Sequence, residues 1–258
     1  MNLAVLSGIE MLVVLAAGIG AGAVNAVVGS GTLITFPVLL AVGYPPVLAN
    51  VTNTVGLTPG GVSGAYGYRA ELTGQRSRLV TLGAVSMVGG LSGGLLLLSL
   101  PSDAFRAIVP VLIAVSVVLV LVQPRLARRL ARSDDGRGAG ERLGPTLLAG
   151  IFGSGVYGGY FGAGQGVLLI GLMGVFLGED LQRVNAAKNV LAGLVNGTAA
   201  VLFLLVGDIA WEAAGLIAVG SVVGGQLGAS IGRRLPASVL RGLVATVGVV
   251  AIAAIVVG

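Results

Sequence analysis

The chain has 258 residues, of which 55% are hydrophobic and 10% charged, and its formal net charge is +5. Soluble domains carry roughly 25% charged residues, so this composition excludes an ordinary soluble domain and indicates a multispanning membrane protein. The sequence contains no Cys and no His, which excludes disulfides, thiol nucleophiles, and haem or zinc sites of the usual kind. We therefore expect neither a metal nor a cofactor.

The predicted spanning segments form two sets of five along an all-α chain. The first set lies at about 9–28, 31–43, 47–66, 79–99 and 104–122. The second set lies at about 144–162, 165–178, 184–206, 211–232 and 238–257. The segments at 31–43 and 165–178 would rise only ~20 Å as helices, which is too short to cross the bilayer. We expect these two to be half-helices, re-entrant or strongly tilted.

The two sets match each other at a fixed offset of 135 residues, without a gap. Glycines recur at this offset, and so do less common residue types that chance rarely repeats in an apolar chain. The matched pairs include Gly29 with Gly164, Gly31 with Gly166, Asn50 with Asn185, Pro101 with Pro236 and Arg106 with Arg241. We therefore predict an internal repeat, a feature that is common in transporters.

Corresponding loops of the two repeats have opposite charge character. The loop at 68–78 is basic, and its counterpart around Asp208 and Glu212 is acidic. The positive-inside rule then puts corresponding loops on opposite faces of the membrane, so we predict inverted repeats with five or three crossings each. Because the basic residues form such loops, we expect no nucleic-acid partner.

This topology gives the predicted organisation of the chain in the cell membrane. Residues 1–122 form the first repeat, 123–142 a basic cytoplasmic loop, and 143–258 the second repeat, all within one membrane domain. The loops at 68–78 and 233–241 also face the cytoplasm, and both termini lie outside. The N-terminus has no basic region and no cleavage site, so we expect no removable signal peptide.

Two glycine-rich breaks interrupt the apolar sequence at corresponding places. The stretch GSGT begins at Gly29, and the stretch GAGQG ends at Gly166. Irregular backbone at membrane depth is tolerated only where protein or a water-filled cavity covers it. Paired broken helices point to a binding site near the midplane. The helices that begin after the breaks offer N–H groups and positive dipole ends, which suit an anion.

Polar side chains gather in the segment that follows each break. The stretch NVTNT begins at Asn50 and NAAKN begins at Asn185, and residues three and four apart share one helix face. Lys188 is the only lysine in the chain, and an ionisable residue inside a membrane segment is a candidate for function. The predicted substrate-binding residues are Ser30, Thr32, Asn50, Asn53, Thr54, Gln165, Asn185, Lys188 and Asn189. The predicted helix-break residues are Gly29, Gly31, Gly164 and Gly166.

These polar positions also have structural interpretations. Lys188 would reach the phosphate headgroups if it lay close to a segment end. The Asn and Thr clusters would join helices by hydrogen bonds without binding any substrate. Tyr157 is interpreted as an interfacial anchor.

The first repeat resembles a known family. In GSGTLITFPVLLAVGYPPVLANVTNT, a glycine cluster is followed by Pro37, Leu39, Gly43 and Ala49, and then by the polar residues 52–54. This order is similar to the first-repeat signature of the TauE/SafE sulfite-exporter family, and the resemblance covers essentially the whole chain. The family often has three glycines where this chain has Gly-Ser-Gly and Gly-Gln-Gly.

The resemblance implies a transporter of the cytoplasmic membrane for small anions, often sulfite or organosulfonates, with export as the usual direction. We predict a secondary transporter that works by alternating access and is not an enzyme. Its expected partners are the anion and the lipid bilayer, and a homodimer is left open. The alternatives are an anion channel that uses the same donors, an intramembrane enzyme and a non-transporting scaffold.

The predicted topology determines what a fusion at the C-terminus should report. A reporter that is active only in the cytoplasm should stay silent there, because both termini lie outside. The same reporter inserted in the loop at 123–142 should be active and serves as the control. A strong signal from the C-terminal fusion would contradict the topology.

Overall fold

The computed structural model describes residues 6–132, 143–231 and 246, and within them the chain is helical without any strand. The predicted all-α class is confirmed. In the described ranges the helices are α1 (Gly8–Val27), α2 (Thr32–Ala41), α3 (Pro46–Gly67), α4 (Arg76–Ser99), α5 (Ser102–Arg132), α6 (Pro145–Tyr160), α7 (Gln165–Leu177), α8 (Leu181–Val206) and α9 (Trp211–Ile231). A short 3-10 helix, Arg69–Leu72, lies between α3 and α4.

The predicted segments agree closely with these helices, apart from one boundary. Helix α5 continues to Arg132, ten residues into the stretch that was predicted to be a loop from 123 onwards. After Pro124 and up to Arg132, the stretch consists of Leu, Ala and Arg, which are good helix formers, and its first glycine is Gly136. The residues that follow Pro124 therefore favour continuation of the helix. The predicted tenth segment, 238–257, lies outside the described residues, as does the basic loop at 233–241.

Several helices are long and apolar enough to cross a membrane, which makes the chain a multi-pass membrane protein. In the described part of the chain these are Gly8–Val27, Arg76–Ser99, Ser102–Gln123, Leu181–Val206 and Trp211–Ser230. Helix α3 has 22 residues, but it buries several Asn, Thr and Gly residues and is less apolar. Polar residues on a buried helix mark the interior of the bundle.

Helix α2 runs back toward the end of the bundle at which α1 begins, and α7 runs back toward the end at which α6 begins. Helix α2 has 10 residues, about 15 Å of rise. Tyr44 follows it and lies beside acids at the beginnings of α1 and α9. Burial raises the pKa of the Tyr44 phenol above its ordinary value, and the carboxylates of Glu212 and Glu10 raise it further. Helices α1 and α2 therefore form an antiparallel helical hairpin.

Helices α6 and α7 form a second antiparallel hairpin. Leu147 near the beginning of α6 and Leu177 at the end of α7 belong to one buried cluster. A Cβ placed on Gly150 of α6 would lie 2.7 Å from Cδ2 of Leu172 on α7, so the two helices run side by side in opposite directions. Each short helix thus packs back along the helix that precedes it. Its re-entrant position in the membrane and the inversion of the two halves stay predictions.

The bundle has one basic and one acidic end. At the basic end, the guanidinium of Arg183 on α8 donates to the Thr73 carbonyl in the α3–α4 connection. At the acidic end, the Leu6 amide donates to Glu212 at the beginning of α9. We use "basic end" and "acidic end" for these two ends below.

Glycines allow the closest helix contacts, which lie between α1 and α9 and between α4 and α6. A Cβ on Gly224 of α9 would lie 2.0 Å from the Ile19 carbonyl oxygen of α1. A Cβ on Gly93 of α4 would lie 2.0 Å from the Val156 carbonyl oxygen of α6. Small residues let membrane helices pack at backbone contact. The glycine stretches at 89–94 and 224–228 are thus close-packing faces of α4 and α9.

The close contact between α1 and α9 predicts that Gly224→Ala destabilises the protein. The added methyl group has no room against the Ile19 carbonyl, and overpacking costs about 1–3 kcal/mol. Gly215→Ala on the same helix is the matched control, because nothing lies within 4 Å of its Cβ position and Ala favours a helix by about 1 kcal/mol over Gly. Thermal unfolding in detergent should show a lower Tm for Gly224→Ala only. Equal Tm values for the two variants would contradict this packing.

Candidate substrate site

Both helical hairpins turn at glycines in the left-handed region of backbone conformation. Gly29 between α1 and α2 has φ 82°, and Gly162 and Gly164 between α6 and α7 have φ 81° and 77°. Side chains rarely tolerate this conformation, and glycine adopts it readily. The glycine pattern in the sequence is therefore explained by the shape of the turns themselves.

The two breaks contact each other through their backbones. The Gly166 amide donates a hydrogen bond of 3.2 Å to the Gly29 carbonyl. A Cβ on Gly29 would lie only 2.5 Å from the Gly166 Cα. Beside this contact, the rings of Phe36 and Phe161 meet edge to face at 5.2 Å. Two segments far apart in the chain thus form one junction inside the bundle.

Three predicted residues of α8 converge on the end of α1. Asn185, Lys188 and Asn189 donate to the Ala26 carbonyl at 3.3, 3.2 and 3.1 Å. The Lys188 ammonium also donates to the Asn25 carbonyl at 2.9 Å. The last carbonyls of a helix have no partner within it and carry its negative dipole end. The polar face of α8 therefore caps the broken end of α1.

Lys188 is buried without an acidic partner. Its side chain is 0% exposed, and both ion pairs in the described part of the chain involve Glu179 instead. Carbonyl dipoles are its bonded partners, and a buried cation of this kind is costly unless its hydrogen bonds are satisfied. The alternative in which Lys188 reaches the headgroups is wrong, because its side chain does not reach the surface.

The polar residues of α3 hold the same junction from the other side. Asn50 donates to the Tyr160 carbonyl at the end of α6, at 2.8 Å. Asn53 donates to the Thr32 hydroxyl at 3.2 Å and accepts a bond from Thr35. Helix α3 therefore holds both the end of α6 and the beginning of α2.

The capping of the broken helices is reciprocal. Asn50 in the first half caps the Tyr160 carbonyl of the second half, and Asn185 in the second half caps the Ala26 carbonyl of the first half. Thr54 bonds the Asn50 carbonyl within its own helix at 3.0 Å. Each half thus satisfies the broken helix of the other half.

Four buried polar atoms of the predicted residues have no hydrogen-bond partner in the described part of the chain. These atoms are Ser30 Oγ, Asn50 Oδ1, Gln165 Nε2 and Asn185 Oδ1. An unsatisfied buried polar group costs about 1–3 kcal/mol, so each needs an explanation such as a water or a ligand. Ser30 and Gln165 occupy the equivalent position in the two breaks.

Space beside the junction is small. Asn25, Asn189 and Asn196 line a cavity of about 10 Å³ between α1, α3 and α8. A cavity of roughly 10–15 Å³ holds one water molecule. This part of the site accepts a water and is too small for a polyatomic anion in this conformation.

Sequence reasoning missed the residues that hold the second break. The Tyr157 hydroxyl donates to the Ala163 carbonyl at 2.6 Å, and the Ser116 hydroxyl lies 2.9 Å from the same oxygen. The interpretation of Tyr157 as an interfacial anchor is wrong, because its hydroxyl is bonded inside the bundle. Ser116 is a lone serine in an apolar segment, and no local pattern distinguishes it.

A bundle of membrane helices with two glycine breaks that meet beside buried polar residues has the architecture typical of secondary transporters. Comparison with known families agrees with this class. The family described as Sulfite exporter TauE/SafE matches residues 14–255, and the chain belongs to this family.

Relatives of the chain are named as membrane transporters. A "Probable membrane transporter protein" of Haemophilus influenzae is 32% identical over 234 residues, which cover 87% of this chain and 86% of that protein. "Probable membrane transporter protein YfcA" of Escherichia coli K12 is 27% identical, over 82% and 76% of the two chains. "Probable membrane transporter protein ORF9" of a Sinorhizobium species is 25% identical, over 89% and 85%. No solved structure matches the chain significantly. The protein is a membrane transporter.

The junction predicts that Gly29→Ala destabilises the protein more than Gly43→Ala does. Both glycines have a left-handed φ, of 82° and 92°, so both variants carry a strain of about 1–2 kcal/mol. Only the Gly29 methyl group would also overlap the Gly166 backbone, since nothing lies within 4 Å at Gly43. The difference in Tm in detergent isolates the contact between the breaks. Equal losses would contradict a junction held at backbone contact.

Proposed function

We propose that this protein is a secondary transporter of small anions such as sulfite or organosulfonates, and that the junction of the two breaks is its substrate site. The observation that carries the proposal is a pair of buried donors without a partner. Ser30 and Gln165 are 0% and 2% exposed, and their Oγ and Nε2 atoms make no hydrogen bond in the described ranges. An oxyanion would satisfy both at once.

The charge around the junction favours an anion over a cation. Lys188 lies against this junction, because a Cβ on Gly166 would be 2.8 Å from its Cδ. In the described part of the chain, Glu and Asp side chains lie at helix ends and in connections. Helices α2 and α7 both begin at the junction, and their positive dipole ends favour negative charge.

The remaining predicted residues complete the proposed site. Thr32, Asn50, Asn53, Thr54, Asn185 and Asn189 now bond the breaks or one another, and we propose that some of these bonds are exchanged for bonds to the substrate. Gly29, Gly31, Gly164 and Gly166 give the backbone the close approach that this exchange needs. Neutral donors with one ammonium bind an oxyanion without a full set of ion pairs, which suits a carrier that must release its cargo.

Alternating access is the proposed mechanism. The two hairpins open toward opposite ends of the bundle, and each is capped by a helix of the other half. If one repeat rocks against the other, the junction is exposed first to one end and then to the other. The proposed orientation places the basic end and the loop at 123–142 in the cytoplasm, and export is the proposed direction.

The carrier mechanism is supported over a channel by the small size of the space beside the junction. The cavity next to Asn189 holds about one water, whereas an open channel needs a continuous wet pathway. Counterflow distinguishes the two. A carrier in liposomes should show saturable flux that is accelerated by substrate on the opposite side, and a channel should not.

The proposed site predicts that Lys188→Met reduces anion flux. Methionine keeps the length of the buried side chain and removes its charge. A hydrogen bond to a charged group contributes about 1.5–3 kcal/mol, so we expect flux of sulfite or a small sulfonate in liposomes to fall by about tenfold or more. Gel filtration checks that the variant remains folded.

Ser92→Ala is the matched control, because Ser92 is exposed on α4 and bonds only the Val88 carbonyl of its own helix. Its flux should equal that of the unmodified protein. Unchanged flux in folded Lys188→Met would remove Lys188 from the site. A thermal-shift screen against sulfite, sulfate, thiosulfate and small sulfonates identifies the substrate by a rise in Tm. If none of these anions raises the Tm, this substrate class is rejected.

A further inference from the structure

A cluster of charged side chains joins helices at the basic end by ion pairs. Glu179, in the turn between α7 and α8, contacts Arg78 at 3.0 Å and Arg183 at 2.6 Å. Burial raises the pKa of the Glu179 carboxyl, but the hydrogen bonds from Arg183 and Arg78 outweigh it and hold the pKa below its ordinary value. One carboxylate thus joins α4 to the α7–α8 turn. We call these three residues the clamp.

Further hydrogen bonds of side chains extend the clamp across the two halves. The Arg183 guanidinium donates to the Thr73 carbonyl at 3.1 Å. Gln75, which is 2% exposed, donates to the Arg183 carbonyl at 3.3 Å and accepts from Arg78 at 2.6 Å. The α3–α4 connection of the first half is therefore tied to the α7–α8 turn of the second half.

The acidic end has a cleft where the basic end has the clamp. This cleft of about 530 Å³ lies between residues 45–51, at the beginning of α3, and residues 206–209, which follow α8. At the offset of 135 residues, Leu48 corresponds to Arg183 and Asp208 corresponds to Thr73. The segments that correspond to the clamped ones at this offset thus line a cleft at the acidic end.

Hydrogen bonds link a wall of the cleft to the junction. Val51 lines the cleft, and the next residue, Thr52, accepts a bond of 3.1 Å from the Ala210 amide. Thr52 is buried and is followed by Asn53, whose amide bonds Thr32 at the beginning of α2. Helix α3 therefore carries both a wall of the cleft and a residue that holds the beginning of α2.

We infer that the cleft is the open mouth of the transport path and that the clamp is the closed gate at its other end, with the junction between them. This inference rests on the proposed transport function. The conformation then faces the acidic end. To face the basic end, the protein must break the contacts of Glu179 and close the cleft between residues 45–51 and 206–209.

The absence of cysteine from the sequence lets a single introduced cysteine report on each end. Ala186 is buried on α8, three residues after Arg183, and belongs to the same cluster as Ala26. Val47 lines the cleft and is half-buried. A membrane-impermeant thiol reagent, applied to vesicles of each orientation, measures the labelling rate of Ala186→Cys from the basic end and of Val47→Cys from the acidic end.

In the unmodified background, Val47→Cys should react and Ala186→Cys should be protected. Glu179→Gln leaves two guanidinium groups without their counter-ion, so labelling at Ala186→Cys should rise about tenfold or more and labelling at Val47→Cys should fall. Asp180→Asn is the matched control, because it removes a neighbouring carboxylate that has no ion pair in the described ranges. It should change neither rate.

Arg78→Gln removes one of the two ion pairs. It should change both labelling rates in the same directions, but by smaller factors. A rise at Ala186→Cys without a fall at Val47→Cys would show local loosening and overturn the gate. No change at either position in folded Glu179→Gln would overturn it as well. Anion flux is measured on the same proteins. If the two labelling rates change in opposite directions but no anion flux is detected, the gate is supported and the proposed substrates are rejected. If anion flux is detected but the labelling rates do not change, only the gate is rejected.

Discussion

The contact between Gly29 and Gly166 is the constraint on which the rest of the structure depends. Inside a bilayer, each backbone group needs a partner from the protein, and two broken helices leave several groups without one. The structure solves this by joining the breaks directly, with the Gly166 amide bonded to the Gly29 carbonyl. A side chain at either position would separate them. The capping amides and the buried lysine lie beside this junction.

The same constraint couples the two halves. The ends of α1 and α6 need donors for their last carbonyls, and the donors come from α8 and α3, each in the other half. One hairpin therefore cannot move without breaking bonds to the opposite half. In a carrier, such coupling is useful, because both halves must change together when access alternates. Polar residues that glue the bundle and polar residues that bind substrate are thus the same residues in the proposed mechanism.

The fold shows which structural features can be predicted from local sequence patterns. The long apolar runs predicted the spanning helices, because hydrophobic length is a local property. The end of α5 was missed, since charged residues such as those before Arg132 are good helix formers outside the membrane as well. Ser116 was missed because its partner, the Ala163 carbonyl, lies in a distant part of the chain.

The sequence by itself determined the membrane environment, the helical class, the two glycine breaks and the polar clusters that follow them, since each depends on composition or on spacing within one segment. Only the tertiary structure decided which groups meet. It placed Lys188 against the Asn25 and Ala26 carbonyls rather than at the surface, and left Ser30 and Gln165 without partners. It also gave the basic end a clamp and the acidic end a cleft. These are contacts between segments that are remote in the chain, and their geometry follows from the packing of the whole bundle.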